Sequence, residues 1–457
     1  MAKKFDAIII GAGQAGSPLA HNLADRGWQV ALIEREHLGG SCINYGCTPT
    51  KKMIASAKAA YEARRAAQFG IRVGPVEVDL PKITVLRDQL VLSMREGQET
   101  RVSSRPNITL IRGEASFSAP YQVEVNGQRL HSQQIFINTG SSAAVPKIPG
   151  IDQVEYLDNR SILNLRTVPE HLIVVGASYI GLEYGQMFRR FGSQVTIVAT
   201  TGQIAPQEDR DVAASLQSAL EKENINFLLS SQIQKVEKHS TGGVQVTVKC
   251  PDPSRLEILQ GTHLLVATGR QPNSAALNLE AAGIEHERGW IKVNDRLETN
   301  QPGIYAMGDV NGGPAFTHIS YNDFQIILNN LFEPQTQSTR GRLNLYTLYT
   351  DPELGRVGLS EREARAAGYQ IKVGTMPMNA VARAIERIET EGLMKVVIDA
   401  NSNRILGATV LAANGGELVQ SLMILMLADA PWTLLKGAVY IHPTLTEGFF
   451  GLMENVK

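Results

Sequence analysis

The 457-residue chain carries 44 basic and 45 acidic side chains, so it offers no large net field to attract nucleic acid or an anionic membrane. Apolar residues make up 43% and charged residues 19%, an ordinary globular balance, and no apolar run reaches membrane-spanning length. The three cysteines, one necessarily unpaired within the chain, exclude a secreted disulfide framework and point to the cytoplasm, where a close cysteine pair is more often catalytic or metal-binding than structural.

At about 150 residues per domain, roughly three domains are expected. Phe5 to Ile10 reads as a strand, Gly11-Ala12-Gly13-Gln14-Ala15-Gly16 as a turn, Ser17 to Arg26 as a helix and Gln29 to Ile33 as a second strand ending in Glu34. This is a dinucleotide fingerprint. Gly11, Gly13 and Gly16 allow the tight turn and close backbone approach, the helix N-terminus suits a pyrophosphate, and Glu34 suits ribose hydroxyls. Next comes Cys42-Ile43-Asn44-Tyr45-Gly46-Cys47, then Thr48-Pro49 as an expected N-cap and first helical proline. The helix is expected to pass through Lys51 and Lys52 to about Arg65.

Ile135 to Gly140 reads as a buried strand ending in Thr-Gly. The fingerprint then recurs: strand His171 to Val175, turn Gly176-Ala177-Ser178-Tyr179-Ile180-Gly181, helix Leu182 to Phe191 and strand Gln194 to Val198. Two such units imply two nucleotides, or one unit kept only as structure; the duplication suits a two-cofactor flavoenzyme better than a simple dehydrogenase. Leu264 to Gly269 repeats the strand-Thr-Gly ending and continues into Arg270. Ile304 to Asp309 ends in Gly-Asp, placing an acid where ligands bind in open α/β sheets. The segment Pro334 to Gly341 has a linker composition. Beyond Leu343 the texture becomes α+β, with antiparallel strands at Val373 to Met378, Met394 to Asp399 and Ile405 to Ala412, and helices from Glu361 and Glu417. The fold class is α/β: two Rossmann-like domains, the second inserted in the first, plus an α+β C-terminal domain. The expected boundaries are 1–150, 151–270, 271–337 and 338–457.

The cysteine pair lies just past the first fingerprint, the place of a redox-active pair facing a flavin. Two buried structural thiols are the alternative, but Gly46 and the spacing suit a small loop able to close a disulfide. A helix N-terminus at Cys47 favours a thiolate by about 0.3–1 kcal/mol. That is less than one pKa unit, which is about 1.36 kcal/mol, so a further electropositive partner is required. Near the other end, His442-Pro443-Thr444-Leu445-Thr446-Glu447 sets a carboxylate five residues after a histidine, either a base with its orienter or a surface pair.

Taken together, Gly39-Gly40-Ser41-Cys42, the cysteine spacing, both glycine turns, Ala267-Thr268-Gly269-Arg270, Gly308-Asp309 and His442-Pro443 with Glu447 make the chain resemble class I pyridine nucleotide-disulfide oxidoreductases. This is the family of glutathione reductase, dihydrolipoamide dehydrogenase and mercuric reductase. The resemblance covers essentially the whole length and implies FAD, a nicotinamide coenzyme and a C-terminal dimerisation domain. It implies that Gly11, Gly13, Gly16 and Glu34 hold the adenosine half of FAD, and Asp309 its ribityl or pyrophosphate region, with Ser41, Ala115 and Gly140 nearby. Gly176, Gly181, Gly269 and Arg270 complete the nucleotide sites, Tyr179 gates the nicotinamide pocket, and Lys51 pairs with Glu183 beside the flavin. Cys47 matches the charge-transfer thiol and Cys42 the interchange thiol. His442 and Glu447 come from the second subunit of a homodimer. Cys250 matches no motif and reads as structural. No metal site is expected.

The acceptor is less determined. Where glutathione reductases carry arginines in the first helix, this chain has His21-Asn22, which disfavours glutathione. The vicinal terminal cysteines and the N-terminal module of standard mercuric reductases are not expected, and His442 stands where those enzymes usually carry a tyrosine. After the strand ending at Val198 there is neither an acid for NADH nor an arginine for the NADPH phosphate, only Thr200 and Gln207; the balance favours NADPH. Phe316 to Asp323 and Thr375-Met376-Pro377-Met378 resemble mercuric- and copper-reductase-like flavoproteins. The main reading is reduction of a thiol/disulfide substrate. Reduction of Cu(II) or Hg(II) is the alternative within enzymes, and a redox sensor or scaffold with little turnover is the alternative of another class.

Overall fold

The computed structural model describes residues 2–240, 242–252, 255–333 and 337–457; Pro334, Gln335 and Thr336 of the expected linker lie outside the described residues. The chain divides into two compact units. One comprises Met1–Met53, Pro81–Ala144 and Gly269–Arg342, and the other Ile54–Leu80, Val145–Thr268 and Leu343–Lys457.

The first unit is built on a five-stranded parallel sheet in the order Ile304–Ala306, Ile135–Ile137, Ala7–Ile10, Val30–Glu34, Ile108–Arg112. Ala7-Ile8-Ile9-Ile10 is buried at every position, as a sheet covered on both faces requires. Ile9 and Leu32 pack with Leu19, Leu23 and Phe324 from helices on one face. Ile8 and Ile10 pack with Phe117, Val123 and Leu130 from a small four-stranded layer on the other. The strand-to-helix turn is a backbone-on-backbone contact. Gly11 has φ +101°, and a Cβ on Gly16, the first residue of the Gly16–Asp25 helix, would lie 2.0 Å from the Gly11 carbonyl oxygen. Only glycine lets the helix start this close to the strand end.

The second unit repeats the device. Its parallel sheet runs Ile225–Leu228, Gln194–Val198, His171–Val175, His263–Val266. Gly176 has φ +110°, and a Cβ on Gly181 would stand 2.1 Å from the Gly176 oxygen. The helix begins at Tyr179, three residues earlier than the sequence indicates, and runs to Phe191. A three-stranded antiparallel sheet (Gln232–Lys238, Val244–Lys249, Leu256–Gly261) adjoins it in sequence. The C-terminal sheet has five antiparallel strands in the order Leu345–Leu348, Glu353–Gly358, Ile405–Ala412, Leu393–Asp399, Ile371–Pro377. Its first two strands escaped the sequence reading. Glu353-Leu-Gly-Arg-Val-Gly358 mixes charges and glycines and looks like a loop, yet Arg356 is buried there because it pairs with the equally buried Glu208 at 2.8 Å. Among the described residues no helix is long and apolar enough to cross a membrane.

The glycine contact gives a direct test. Gly16→Ala should cost more than about 2 kcal/mol of stability, read as a lowered melting temperature. Gly97→Ala, at a helical site with nothing within 4 Å of the added Cβ, should be neutral or stabilising by up to about 1 kcal/mol.

Candidate functional site

The loop that carries the cysteines is fastened to the first glycine turn. The Gly39 N–H donates to the Ala12 carbonyl at 2.8 Å, and Gln14 Nε2 donates to the Gly39 carbonyl at 2.8 Å. A Cβ on Gly40 (φ +61°) would stand 2.7 Å from the Gly13 Cα. Asn44 Nδ2 reaches the carbonyls of Leu38 (3.0 Å) and Gly40 (2.8 Å), and the Asn44 Oδ1 accepts from Arg95. Cys42 therefore sits in a short helix, Gly40–Asn44, whose two ends are tied down. Cys47 opens the next helix, Cys47–Arg65. This corrects the expected cap at Thr48. The Thr50 N–H donates to the Gly46 carbonyl at 3.1 Å, so helical bonding starts from Gly46 and Thr48-Pro49 lie inside the first turn.

Both cysteines are thiols in this structure, Cys47 exposed and Cys42 half-buried. Cys47 Sγ lies 3.3 Å from the hydroxyl of Thr317, the first residue of the Thr317–Phe332 helix. The Cys42 thiol is pushed well above its ordinary pKa. Its hydrogen bond with Cys47 is the main cause, followed by burial and the Cys47 charge; Thr317 and the Lys51 ammonium act in the opposite direction. Ionising one sulfur thus opposes ionising the other, as in coupled sites.

Around the fingerprint, Glu34 accepts the N–H groups of Ala12 and Glu36, each at 2.8 Å, which orients its carboxylate at the strand end. Asn138, unsuspected in the sequence, is the hub of the turn. Its Oδ1 accepts the Gly16 N–H at 2.9 Å and its Nδ2 donates to the Met307 carbonyl at 2.9 Å, joining three strand ends. An asparagine closing a run of buried apolar residues was the signal. Ser141 was also missed: it donates to Asp309 and receives Arg270 Nε at 2.6 Å, while Arg270 Nη2 reaches its carbonyl at 2.7 Å. Asp323, 1% exposed, takes the Gly308 N–H at 2.8 Å and so fixes the Gly308-Asp309 turn. Ala115 is buried in the Ala115–Ala119 strand, Ser41 is exposed, and Gly140 has φ +68°.

These residues suit a dinucleotide. The glycine cradle excludes any Cβ on its inner side, and the Thr139 hydroxyl, beside Gly140, is buried with no hydrogen-bond partner among the described residues. In the second unit, Gly176 and Gly181 form the equivalent cradle, Tyr179 opens the helix, and Gly269 has φ +146° with open space beside it. Glu183 Oε1 accepts the Tyr349 N–H at 2.9 Å. Lys51 and Glu183 belong to different units.

His442 Nδ1 and Glu447 Oε2 are 2.9 Å apart; the His442 side chain is 72% exposed. The helix here is Gly448–Glu454, with Glu447 at its N-cap. Thr444 fixes the approach to it: its hydroxyl donates to the Ile441 carbonyl at 2.8 Å and accepts the Glu447 N–H at 3.2 Å. Cys250 is buried, 3.8 Å from Glu257 Oε2. Among the described residues no three His, Cys, Asp or Glu side chains converge as metal ligands.

Comparison with known proteins gives consistent matches. The pyridine nucleotide-disulphide oxidoreductase family matches residues 5–323, and the dimerisation domain of that family matches residues 345–451. The chain is 36% identical over 463 residues to the probable pyridine nucleotide-disulfide oxidoreductase RclA of Escherichia coli, covering 99% of this chain and 100% of that one. It is 35% identical over 459 residues to a dihydrolipoyl dehydrogenase of Thermus scotoductus, covering 99% and 97%. It is 33% identical over 416 residues to a mercuric reductase of Staphylococcus aureus, covering 91% and 76%. Among solved structures, the Cu(II) complex of the HOCl-induced flavoprotein disulfide reductase RclA from Escherichia coli superposes with a TM-score of 0.89 at 35% identity, covering 100% of both chains. The chain belongs to the pyridine nucleotide-disulfide oxidoreductase family and is a FAD-dependent disulfide oxidoreductase that uses a nicotinamide coenzyme.

Proposed function

We propose that the chain takes electrons from NADPH, in preference to NADH, and delivers them through Cys42 and Cys47 to a small disulfide, with the site completed by His442 and Glu447 of a second copy. The observation that carries this reading is the asymmetry of the cysteine pair. Bound FAD would supply the chemistry that links hydride removal from the coenzyme to two-electron reduction of the Cys42–Cys47 disulfide. Cys47, at a helix N-terminus and beside the Thr317 hydroxyl, holds the thiolate. Cys42, with its pKa raised by the hydrogen bond to Cys47, keeps its proton. Cys42 therefore needs a base before it can attack a disulfide sulfur. An imidazole oriented by a carboxylate at 2.9 Å is suited to that task and to protonating the departing thiol. Gly11, Gly13, Gly16, Glu34, Asp309, Ala115, Ser41 and Gly140 would hold FAD. Gly176, Gly181, Tyr179, Gly269 and Arg270 would serve the nucleotides, with Lys51 and Glu183 beside the nicotinamide.

Exposed apolar side chains around His442 support a partner copy: Leu434 is 59% exposed, Ile441 80% and Val439 100%. The coenzyme preference rests on the loop after Val198. Its first acids are already engaged within the chain, Glu208 by Arg356 and Asp209 by the N–H groups of Glu361 and Arg362. None remains for the ribose hydroxyls by which NADH would be read. No arginine or lysine stands in 199–209 either. A missing charged hydrogen bond is worth about 1.5–3 kcal/mol, so the preference should be modest, below about a hundredfold in kcat/KM. Metal-ion reduction is the second reading, favoured by the Cu(II) complex of the related RclA.

Steady-state assays with both coenzymes and a panel of disulfides, Cu(II) and Hg(II) test this reading. Disulfide-dependent NADPH oxidation that is abolished in Cys42→Ser supports it; failure of every disulfide with turnover on a metal ion would replace it with the second reading. Thr317→Val should raise the pH at which the reduced pair forms its thiolate by about one to two units, since a hydrogen bond to a charged group is worth about 1.5–3 kcal/mol. Thr317→Ser should not, and the thiolate absorbance across a pH titration measures both.

A further inference from the structure

The Tyr179–Phe191 helix buries three polar side chains, Glu183, Gln186 and Arg190, each no more than 6% exposed. Their spacing of three and four places them on one face, and buried polar groups at such positions are costly unless paired. All three meet a single short segment, Tyr349 to Asp351. The Tyr349 N–H donates to Glu183 Oε1 at 2.9 Å. Gln186 and Asp351 bond reciprocally: the Asp351 N–H donates to Gln186 Oε1, and Gln186 Nε2 donates to the Asp351 carbonyl, each at 2.8 Å. Arg190 Nη2 lies 2.9 Å from Asp351 Oδ2 and, with Nε, grips Glu223 at 2.7 and 2.8 Å. Burial opposes the Arg190 charge, but Glu223 and Asp351 outweigh it and hold its pKa above the ordinary value.

A cavity of about 50 Å³ adjoins Glu183, lined also by Lys58, Met187, Thr350 and Glu353. The Glu183 side chain thus borders open space, and the Tyr349 N–H is a hydrogen bond that sets its direction there. We propose that Gln186 and Arg190 are positioning residues for Glu183. They lock Tyr349 to Asp351 onto the helix, and the Tyr349 amide, so held, orients the carboxylate toward the nicotinamide side. This inference rests on the role given to Glu183 above.

The test uses the FAD-loaded enzyme with Gln186→Leu, Asp351→Asn and Glu183→Gln. Hydrogen exchange of the peptide covering 345–353, measured without coenzyme, should speed up at least tenfold in Gln186→Leu. Anaerobic single-turnover reduction of FAD by NADPH should slow about tenfold in Gln186→Leu and less in Asp351→Asn, which keeps both backbone bonds. Reoxidation of the prereduced variants by the acceptor should match the parent, which a general loosening of the fold would not allow. If Glu183→Gln slows reduction while both other variants reduce at the parental rate, positioning is overturned and the role of Glu183 stands. If Glu183→Gln also reduces at the parental rate, that role and the inference fall together. Should Gln186→Leu not fold, Asp351→Asn and Arg190→Lys carry the same readouts, and parental reduction rates in both would overturn the proposal.

Discussion

The arrangement depends on backbone packed against backbone at the first glycine turn. The Gly16–Asp25 helix can start against Gly11 only because neither residue has a Cβ, and the cysteine loop can lie on that turn only because Gly40 meets the Gly13 Cα directly. Three consequences follow from this contact. The helix N-terminus points at the strand ends, a position that suits a pyrophosphate. Asn138 bridges the turn to the strand ending at Met307. The Gly40–Asn44 helix, and with it Cys42, is set at a fixed distance from the first glycine turn rather than left on a free loop.

Given that placement, the chemistry of the pair is an electrostatic question. A helix end contributes about 0.3–1 kcal/mol to a thiolate, which is too little alone. The Thr317 hydroxyl supplies a second contact to Cys47, and the hydrogen bond between the two sulfurs raises the pKa of Cys42. On the proposed function, a thiolate at Cys47 and a thiol at Cys42 would divide the tasks without any difference in residue type. The exposed His442, oriented by Glu447, matches the need of the thiol for a base.

Much of this was legible in the sequence because glycine turns, cysteine spacing and His-Pro-x-x-x-Glu are local patterns, each tied to a local geometry. The two parallel sheets, their glycine contacts and the His442–Glu447 pair stand where those patterns place them. What escaped depends on contacts between distant segments. Asn138, Ser141, Asp323 and Thr317 act through partners at least 15 residues away, and no spacing rule connects them. The Glu353–Gly358 strand was hidden because Arg356 looks like a surface charge until Glu208 is seen beside it. The helix start at Cys47 instead of Pro49 turned on one carbonyl, that of Gly46, which accepts the Thr50 N–H.

The central claim is that Cys47 holds the charge and Cys42 the exchange chemistry. Anaerobic titration of the purified holoenzyme with NADPH, for the parent, Cys42→Ser and Cys47→Ser, tests it most directly. A long-wavelength thiolate-to-flavin absorbance that appears in the parent, persists in Cys42→Ser and is lost in Cys47→Ser is the result this account predicts. Its persistence in Cys47→Ser, or its loss in Cys42→Ser alone, would contradict it.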